Sequence, residues 1–294
     1  MYSMFKRSKW RSLAAITILV LTVVVFVVYF VNHPEVWDEL GQIPRTTLFI
    51  ILGLYLIFVG SLALVNTATL RLCRYKMKAS ESLLLTMYSS VINFFGPLQS
   101  GPAFRAIYVN QKHGVKIKDY TIASFVYYFF YALFSIILLF SGVLKWWITP
   151  FAIVLLVAIF YMKFKKNKYL GRLSLLSLSN WPYMAAATFA QIFVLLMIFW
   201  IELTAVSPGI QCSQVAIYTG AANLALFVSL TPGAIGFREA FLVFTQKLHH
   251  IDNATIVAAN TLDRAIYVLM LLILSGVIII THAGKKLRVQ PAKD

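Results

Sequence analysis

A chain of 294 residues that is 60% apolar and 12% charged, with a mean hydropathy of +0.80, lies far below the roughly 25% charged residues of an ordinary soluble domain. That composition excludes a soluble globular enzyme, a disordered tail and a fibrous repeat, and points to one polytopic, all-α membrane domain over residues 1–294. Its 26 Lys plus Arg against 10 Asp plus Glu, a net +16, reports orientation in a bilayer rather than a nucleic-acid partner.

The N-terminal cluster Lys6-Arg7-Ser8-Lys9-Trp10-Arg11 leads into an apolar run at 13–31 that ends in Val31-Asn32-His33-Pro34. It lacks the small-residue pattern of a cleavage site, so it reads as an uncleaved first span. Further spans are expected at 47–67, 120–142, 146–162, 181–206 and 262–282, each long enough to cross the ~30 Å hydrocarbon core. Basic clusters at 6–11, 71–78, 112–118, 163–172 and 285–293 hold 20 of the 26 cations and mark the cytoplasmic connections. The alternating connections carry Glu35, Asp38, Glu39 and Asp252, with only Arg45, Lys145 and Lys247. About six full spans follow, with both termini cytoplasmic in the cell membrane. Cys73 and Cys212 then fall on opposite sides and form no disulfide framework.

Two segments do not fit as simple crossings. The clusters at 71–78 and 112–118 share a face, and about 33 residues separate them. Two crossings need ~40 residues. Gly96-Pro97-Leu98-Gln99-Ser100-Gly101-Pro102 also breaks the segment, since proline removes donors and glycine frees the backbone. Residues 79–111 are expected to enter, turn at membrane depth and return, a re-entrant path tolerated only where protein or a wet cavity satisfies the backbone. Residues 213–248 read the same way from the other face. There an apolar helix meets Thr231-Pro232-Gly233-Ala234-Ile235-Gly236 and a short return runs to Leu248. Charge alone is compatible with two short spans in this second segment; the brevity of the return favours the hairpin.

Placing Pro97 on Pro232 brings Gly101 onto Gly236, so both breaks read Pro-x-x-x-Gly and an arginine follows each. Opposed entry makes this an inverted repeat, the pattern of transporters whose interrupted helices mark a midplane binding site. In each returning half-helix, unpaired N–H groups and the positive dipole end form an anion site. Pro102 suits a first helical turn. Gly101 and Gly236 allow close backbone approach, and Arg105 and Arg238 add bidentate donors for a phosphate. The hairpin breaks are thus Pro97, Pro102, Pro232 and Gly233, and the phosphate-binding candidates are Arg105, Arg238, Gly101 and Gly236.

Bland alternatives stand beside these assignments. Arg105 is also placed to snorkel toward the interface, and Arg238 with Glu239 to form an internal ion pair that holds the hairpin shut. Asp263 and Arg264, read as opening the last span, supply charge to the same cavity or sit at the external interface. Glu202 is a partner for Arg238 or Arg264, or an interfacial carboxylate. His249-His250-Ile251-Asp252 has ligand chemistry but no third spaced ligand, so adjacent solvated histidines are expected and no metal or cofactor. Trp146, Trp147 and Trp181-Pro182-Tyr183 read as interfacial belts. No HExxH, GxSxG, Walker or GxGxxG pattern is present.

Leu230-Thr231-Pro232-Gly233-Ala234-Ile235-Gly236-Phe237-Arg238-Glu239-Ala240 resembles the Pro-Gly-Gly-x-Gly-x-Arg-Glu-Ala signature of the lysylphosphatidylglycerol synthase transmembrane family. Pro97-Leu98-Gln99-Ser100-Gly101-Pro102-Ala103-Phe104-Arg105-Ala106 is similar to that family's earlier Pro-x-x-x-Gly-x-x-x-Arg-Ala segment. The resemblance implies a flippase domain for aminoacylated phosphatidylglycerol, or a relative linked to glycosylated carrier lipids. The chain departs from the family in two respects. It stops about a dozen residues past its last span, so it reads as a stand-alone member without the soluble transferase domain. Ser124-Phe125-Val126-Tyr127-Tyr128-Phe129-Phe130 also lacks the Arg and Asp that many relatives carry there.

The expected function is binding and translocation of an anionic phospholipid or phosphate-linked carrier lipid between leaflets. The competing reading is a non-transporting accessory subunit that presents lipid to an envelope-synthesis glycosyl- or aminoacyl-transferase. An intramembrane enzyme is disfavoured, because no nucleophile, base and orienting group assemble from the residues at depth. Lipid identity, direction and energy coupling stay open.

Overall fold

Helix ends in this chain follow local chemistry. The computed structural model describes residues 41, 43–95, 100–141, 177–228 and 237–284. Among them the elements are helices α1 (Arg45–Leu72), α2 (Ala79–Phe95), α3 (Ser100–His113) and α4 (Ile117–Leu139), then a short 3-10 turn at Leu178–Asn180. After it come α5 (Trp181–Val206), α6 (Cys212–Val228), α7 (Phe237–Phe244), α8 (Gln246–His249) and α9 (Asn253–Gly284). No strand occurs among the described residues. The expected spans at 13–31 and 146–162 lie outside them.

Among the described residues four helices are long and apolar enough to cross a bilayer: α1, α4, α5 and α9. Proline opens α1 and α5 from the flanks: Pro44 precedes α1 and Pro182 sits in the first turn of α5, positions where a missing N–H costs nothing. The α1 terminus closes with Arg74 in the left-handed region (φ 59) and Tyr75 N–H donating back to Leu70 O at 2.9 Å, which satisfies an orphan carbonyl. Large apolar side chains such as Phe49, Phe125, Phe189, Phe244 and Ile280 stay exposed on the bundle exterior. A bilayer accounts for that pattern where water would not.

The last span differs from expectation. The helix starts at Asn253, about nine residues before the expected 262. Asp252 caps it: Thr255 N–H and Thr255 Oγ1 donate to its two carboxylate oxygens at 2.9 and 2.7 Å. Asp263 and Arg264 therefore do not open the helix. They lie inside it, 5% and 8% exposed, and interrupt the apolar run because they face the bundle rather than because the helix ends.

α1 and α5 run antiparallel as the central pair. Ser177 N–H donates to Leu72 O, Asn180 Nδ2 to Arg71 O, and the Arg71 guanidinium stands 4.2 Å from the Tyr183 ring centroid. The main core gathers α1, α5, α6, α7 and α9 around Tyr55, Ile198, Leu203, Tyr218, Leu242, Leu262 and Met270. α4 lies against α6 so closely that a Cβ on Gly220 would stand 2.3 Å from Leu139 N and 2.5 Å from Ser135 O.

α2 and α3 double back on each other across residues 96–99. At 17 and 14 residues they extend about 25 and 21 Å at 1.5 Å per residue, each short of the hydrocarbon core. At one end Ser100 Oγ donates to Ile92 O at 3.1 Å, and Gly101 N–H to Asn93 Oδ1 at 3.3 Å. At the other, Glu81 Oε1 accepts from Tyr108 OH, His113 Nε2 and Lys112 Nζ at 2.8–2.9 Å. Tyr75 OH holds the remaining His113 nitrogen at 2.6 Å. Asn66 fastens the pair to its neighbours: its amide donates to Ser82 Oγ and accepts from Tyr120 OH, both at 3.0 Å. α6 and α7 also pack together, and Gln214 Nε2 donates to His249 O at 3.1 Å.

Candidate functional site

Arg238 is the second residue of α7, and its nearest charge comes from a different helix. Its Nη1 donates to Asp263 Oδ2 on α9, while Tyr55 OH from α1 donates to Oδ1 of the same carboxylate. Its guanidinium carbon stands 4.8 Å from the Phe199 ring centroid on α5. One residue along, Glu239 Oε1 accepts from Arg264 Nε at 3.0 Å and from Arg264 Nη2. The dipeptides Arg238-Glu239 and Asp263-Arg264 thus pair in register, 238 with 263 and 239 with 264. Arg238 and Glu239 are bound to α9 rather than to each other, so the second hairpin is held by the last span.

That pairing leaves capacity unused. Arg238 Nε and Nη2 are buried and have no hydrogen-bond partner among the described residues. So is Asn223 Nδ2 on α6, although its oxygen accepts from Tyr131 OH on α4 at 3.0 Å. Glu202 is 1% exposed and Oε1 has no partner either. It is buried within the bundle, and it interacts electrostatically with both Arg238 and Asp263. The Tyr218 hydroxyl interacts with the Arg238 guanidinium, whose two unpartnered nitrogens are donors placed to bind an oxyanion in a bundle interior.

Arg105 lies in the second turn of α3, half-buried, with its Nε buried and unpartnered. No carboxylate pairs with it among the described residues. Its charge reaches Tyr120, Tyr127 and Tyr128 on α4. The α3 N-terminus offers fewer free amides than a bare helix start: Gly101 N–H is taken by Asn93, and Pro102 has none to give. The Arg105 side chain adds a buried, unpartnered donor at this end. A Cβ on Gly101 would stand 2.6 Å from Ser89 O and 2.8 Å from Asn93 Cβ, so this glycine serves helix-to-helix approach within the hairpin.

Pro97, Pro232, Gly233 and Gly236 lie outside the described residues. The structure adds Tyr55, Phe199, Tyr131, Tyr218 and Asn223 to the charged residues found from sequence. Asn223 had a signal, a lone amide in Ala221-Ala222-Asn223-Leu224-Ala225. The tyrosines had none among fifteen in an aromatic-rich chain. No group of three metal-ligating side chains occurs among the described residues. The expectation of two solvated histidines is corrected for one of them. His249 is fully buried, with Nε2 donating to Leu242 O at 3.0 Å and Nδ1 accepting from Ile251 N–H at 3.1 Å. His250 is exposed and in the left-handed region.

Comparison with known proteins adds one match. The family model described as "Lysylphosphatidylglycerol synthase TM region" matches residues 12–275. No curated protein and no solved structure matches the chain.

Proposed function

The chain belongs to the lysylphosphatidylglycerol synthase TM-region family, and from that premise we propose that this multi-pass membrane protein binds a phosphate-bearing lipid headgroup and moves it between leaflets. The observation that carries this reading is the pair of arginines, Arg105 and Arg238. Each lies in the first two turns of a returning helix that follows a Pro-x-x-x-Gly sequence, and each has buried guanidinium nitrogen without a partner among the described residues, Nε in Arg105 and Nε with Nη2 in Arg238. Leaving such donors unpaired costs about 1–3 kcal/mol each. A phosphate supplies what both lack.

In this reading α2–α3 and α6–α7 are re-entrant hairpins entering from opposite faces of the cell membrane, both termini are cytoplasmic, and the headgroup passes between Arg105 and Arg238 along α4. The α4 face offers Tyr127, Tyr128 and Tyr131, with Asn223 across from Tyr131. Hydroxyl and amide groups of this kind move an anion past apolar surface without holding it as a fixed charge would. The ligand is an anionic phospholipid or a phosphate-linked carrier lipid. The protein needs no chemistry on it, so it is not an enzyme.

Reconstitution in phosphatidylcholine vesicles with labelled phosphatidylglycerol tests this. Purified protein should accelerate transbilayer movement at least tenfold over empty vesicles, and Arg105→Ala and Arg238→Ala should each remove most of the gain. Binding of the label without movement would favour a subunit that presents lipid to a separate transferase. Equal movement in both variants would defeat the arginine assignment.

A further inference from the structure

The Arg238 cluster holds one more acid than its ion pairs use. Arg238 answers Asp263 and Arg264 answers Glu239, so those four charges cancel. Glu202 is the fifth, 1% exposed, with Oε1 buried and unpartnered. The titratable groups that interact electrostatically with it are Asp263 on α9, Arg238 on α7, Tyr55 on α1 and Tyr218 on α6. On α5 itself its buried neighbours Ile198, Phe199 and Leu203 are apolar. Among the described residues Arg238 is the one cation in that set, and it is already paired with Asp263. The Tyr55 hydroxyl is committed to Asp263 as well.

A second uncompensated carboxylate in such a setting costs several kcal/mol. A proton removes that cost with no further ligand. A sodium ion would need several oxygens, and both oxygens of the nearest carboxylate already accept hydrogen bonds.

We propose that Glu202 is a proton-binding site linked to anion binding at Arg238, so that lipid movement is coupled to protons. The inference rests on the headgroup reading of Arg238. Arg238, Asp263 and Glu202 together carry no net charge when Glu202 holds its proton and one negative charge when it does not. An arriving phosphate reaches the free Nε and Nη2 of Arg238 against that extra repulsion only in the second state. Phosphate and proton therefore enter together, and by reciprocity each raises the affinity for the other by the same factor. The proton passes from water to a Glu202 carboxylate oxygen on one side and returns to water on the other. No bond of the lipid is made or broken.

Two measurements on the full chain test the proposal. In vesicles carrying labelled phosphatidylglycerol, a pH gradient acid on the lipid-uptake side should speed movement by roughly tenfold per pH unit, the limit for one linked proton. Glu202→Gln, which keeps the shape and cannot titrate, should bring that ratio to about one. In nanodiscs, infrared difference spectra should show a protonated-carboxyl band that Glu202→Gln removes and that short-chain phosphatidylglycerol strengthens.

Accelerated movement that ignores the pH gradient, or that follows a sodium gradient instead, would overturn the coupling and leave the headgroup reading standing. Absence of any acceleration would remove the transport reading alone. The infrared band then decides the proton site: a Glu202 band that lipid does not alter, or no such band at any pH where the protein stays folded, overturns it.

Discussion

The two hairpins carry the same Pro-x-x-x-Gly break and the same following arginine, yet they are held in different ways. α2 and α3 are joined to each other. Asn93 and Ile92 take the Gly101 and Ser100 donors at one end, and Glu81 gathers Tyr108, Lys112 and His113 at the other. Arg105 is left with no carboxylate among the described residues. α7 packs mainly on α6, yet its charged side chains are tied to α9, through the pairs of Arg238 with Asp263 and Glu239 with Arg264. A repeated motif thus sets where a cation falls in the sequence. It does not set how that cation is neutralised, which depends on the neighbours each copy meets.

Removing Asp263 should break this contrast most severely. Asp263→Ala strands Arg238 and the Tyr55 hydroxyl, and a broken buried pair costs about 3–5 kcal/mol. Arg105→Ala strands no opposite charge and should cost about 1 kcal/mol. Thermal or denaturant unfolding in detergent, read by far-UV circular dichroism, should separate the two clearly. Equal losses would mean that Arg105 has an acceptor in the folded bundle.

Next in size is the close approach inside the first hairpin. Gly101→Ala forces a methyl against Ser89 O and Asn93 Cβ, and overpacking of this kind costs about 1–3 kcal/mol. Gly53→Ala in α1 meets nothing within 4 Å and should be neutral or stabilise by up to about 1 kcal/mol. A stable Gly101→Ala protein would show that α2 and α3 separate easily.

A double-mutant cycle of Glu239→Gln and Arg264→Gln sharpens the second half of the comparison. The pair is partly buried, with Glu239 28% exposed. Its coupling energy should be about 1 kcal/mol, smaller than the loss from Asp263→Ala. A value near zero would leave Arg238 and Asp263 as the sole clasp between α7 and α9.

The smallest effect is a pH dependence confined to the first hairpin. Burial alone would raise the Glu81 carboxyl, but hydrogen bonds from Lys112, Tyr108 and His113 outweigh it and hold it below its ordinary 4.5. A depressed carboxyl stabilises the fold fully above the unfolded value and loses that contribution as pH falls through the folded one. Hydrogen exchange at the Ala79 end of α2, taken relative to the intrinsic amide rate at each pH, should therefore be flat from neutral pH down to about 4.5 and rise below it. Glu81→Gln should abolish that rise.

Legibility followed the same physical line. The spans at 47–67, 120–142 and 181–206 were readable because lipid demands long apolar runs, and the structure has α1, α4 and α5 there within a few residues. The start of α9 was misplaced because Asp263 and Arg264 look like an interface when hydropathy is averaged. The Asp252-x-x-Thr255 cap was the overlooked signal. Arg238, Glu239, Asp263, Arg264 and Glu202 were each singled out by charge. Their partners were not legible, since nothing in the order of residues says that position 238 meets 263 while 239 meets 264.

Sequence by itself determined that this chain lives in a bilayer, where α1, α4 and α5 lie, which family it belongs to and which charges interrupt its apolar segments, because low dielectric makes long apolar runs and rare ions within them conspicuous. Tertiary structure alone decided that Asp263 neutralises Arg238, that Glu202 Oε1 has no partner among the described residues, and that Gly101 is a packing glycine. Those outcomes depend on contacts across the bundle that span 25 residues for the ion pairs and 208 for Tyr55 with Asp263, and only folding brings such groups within reach.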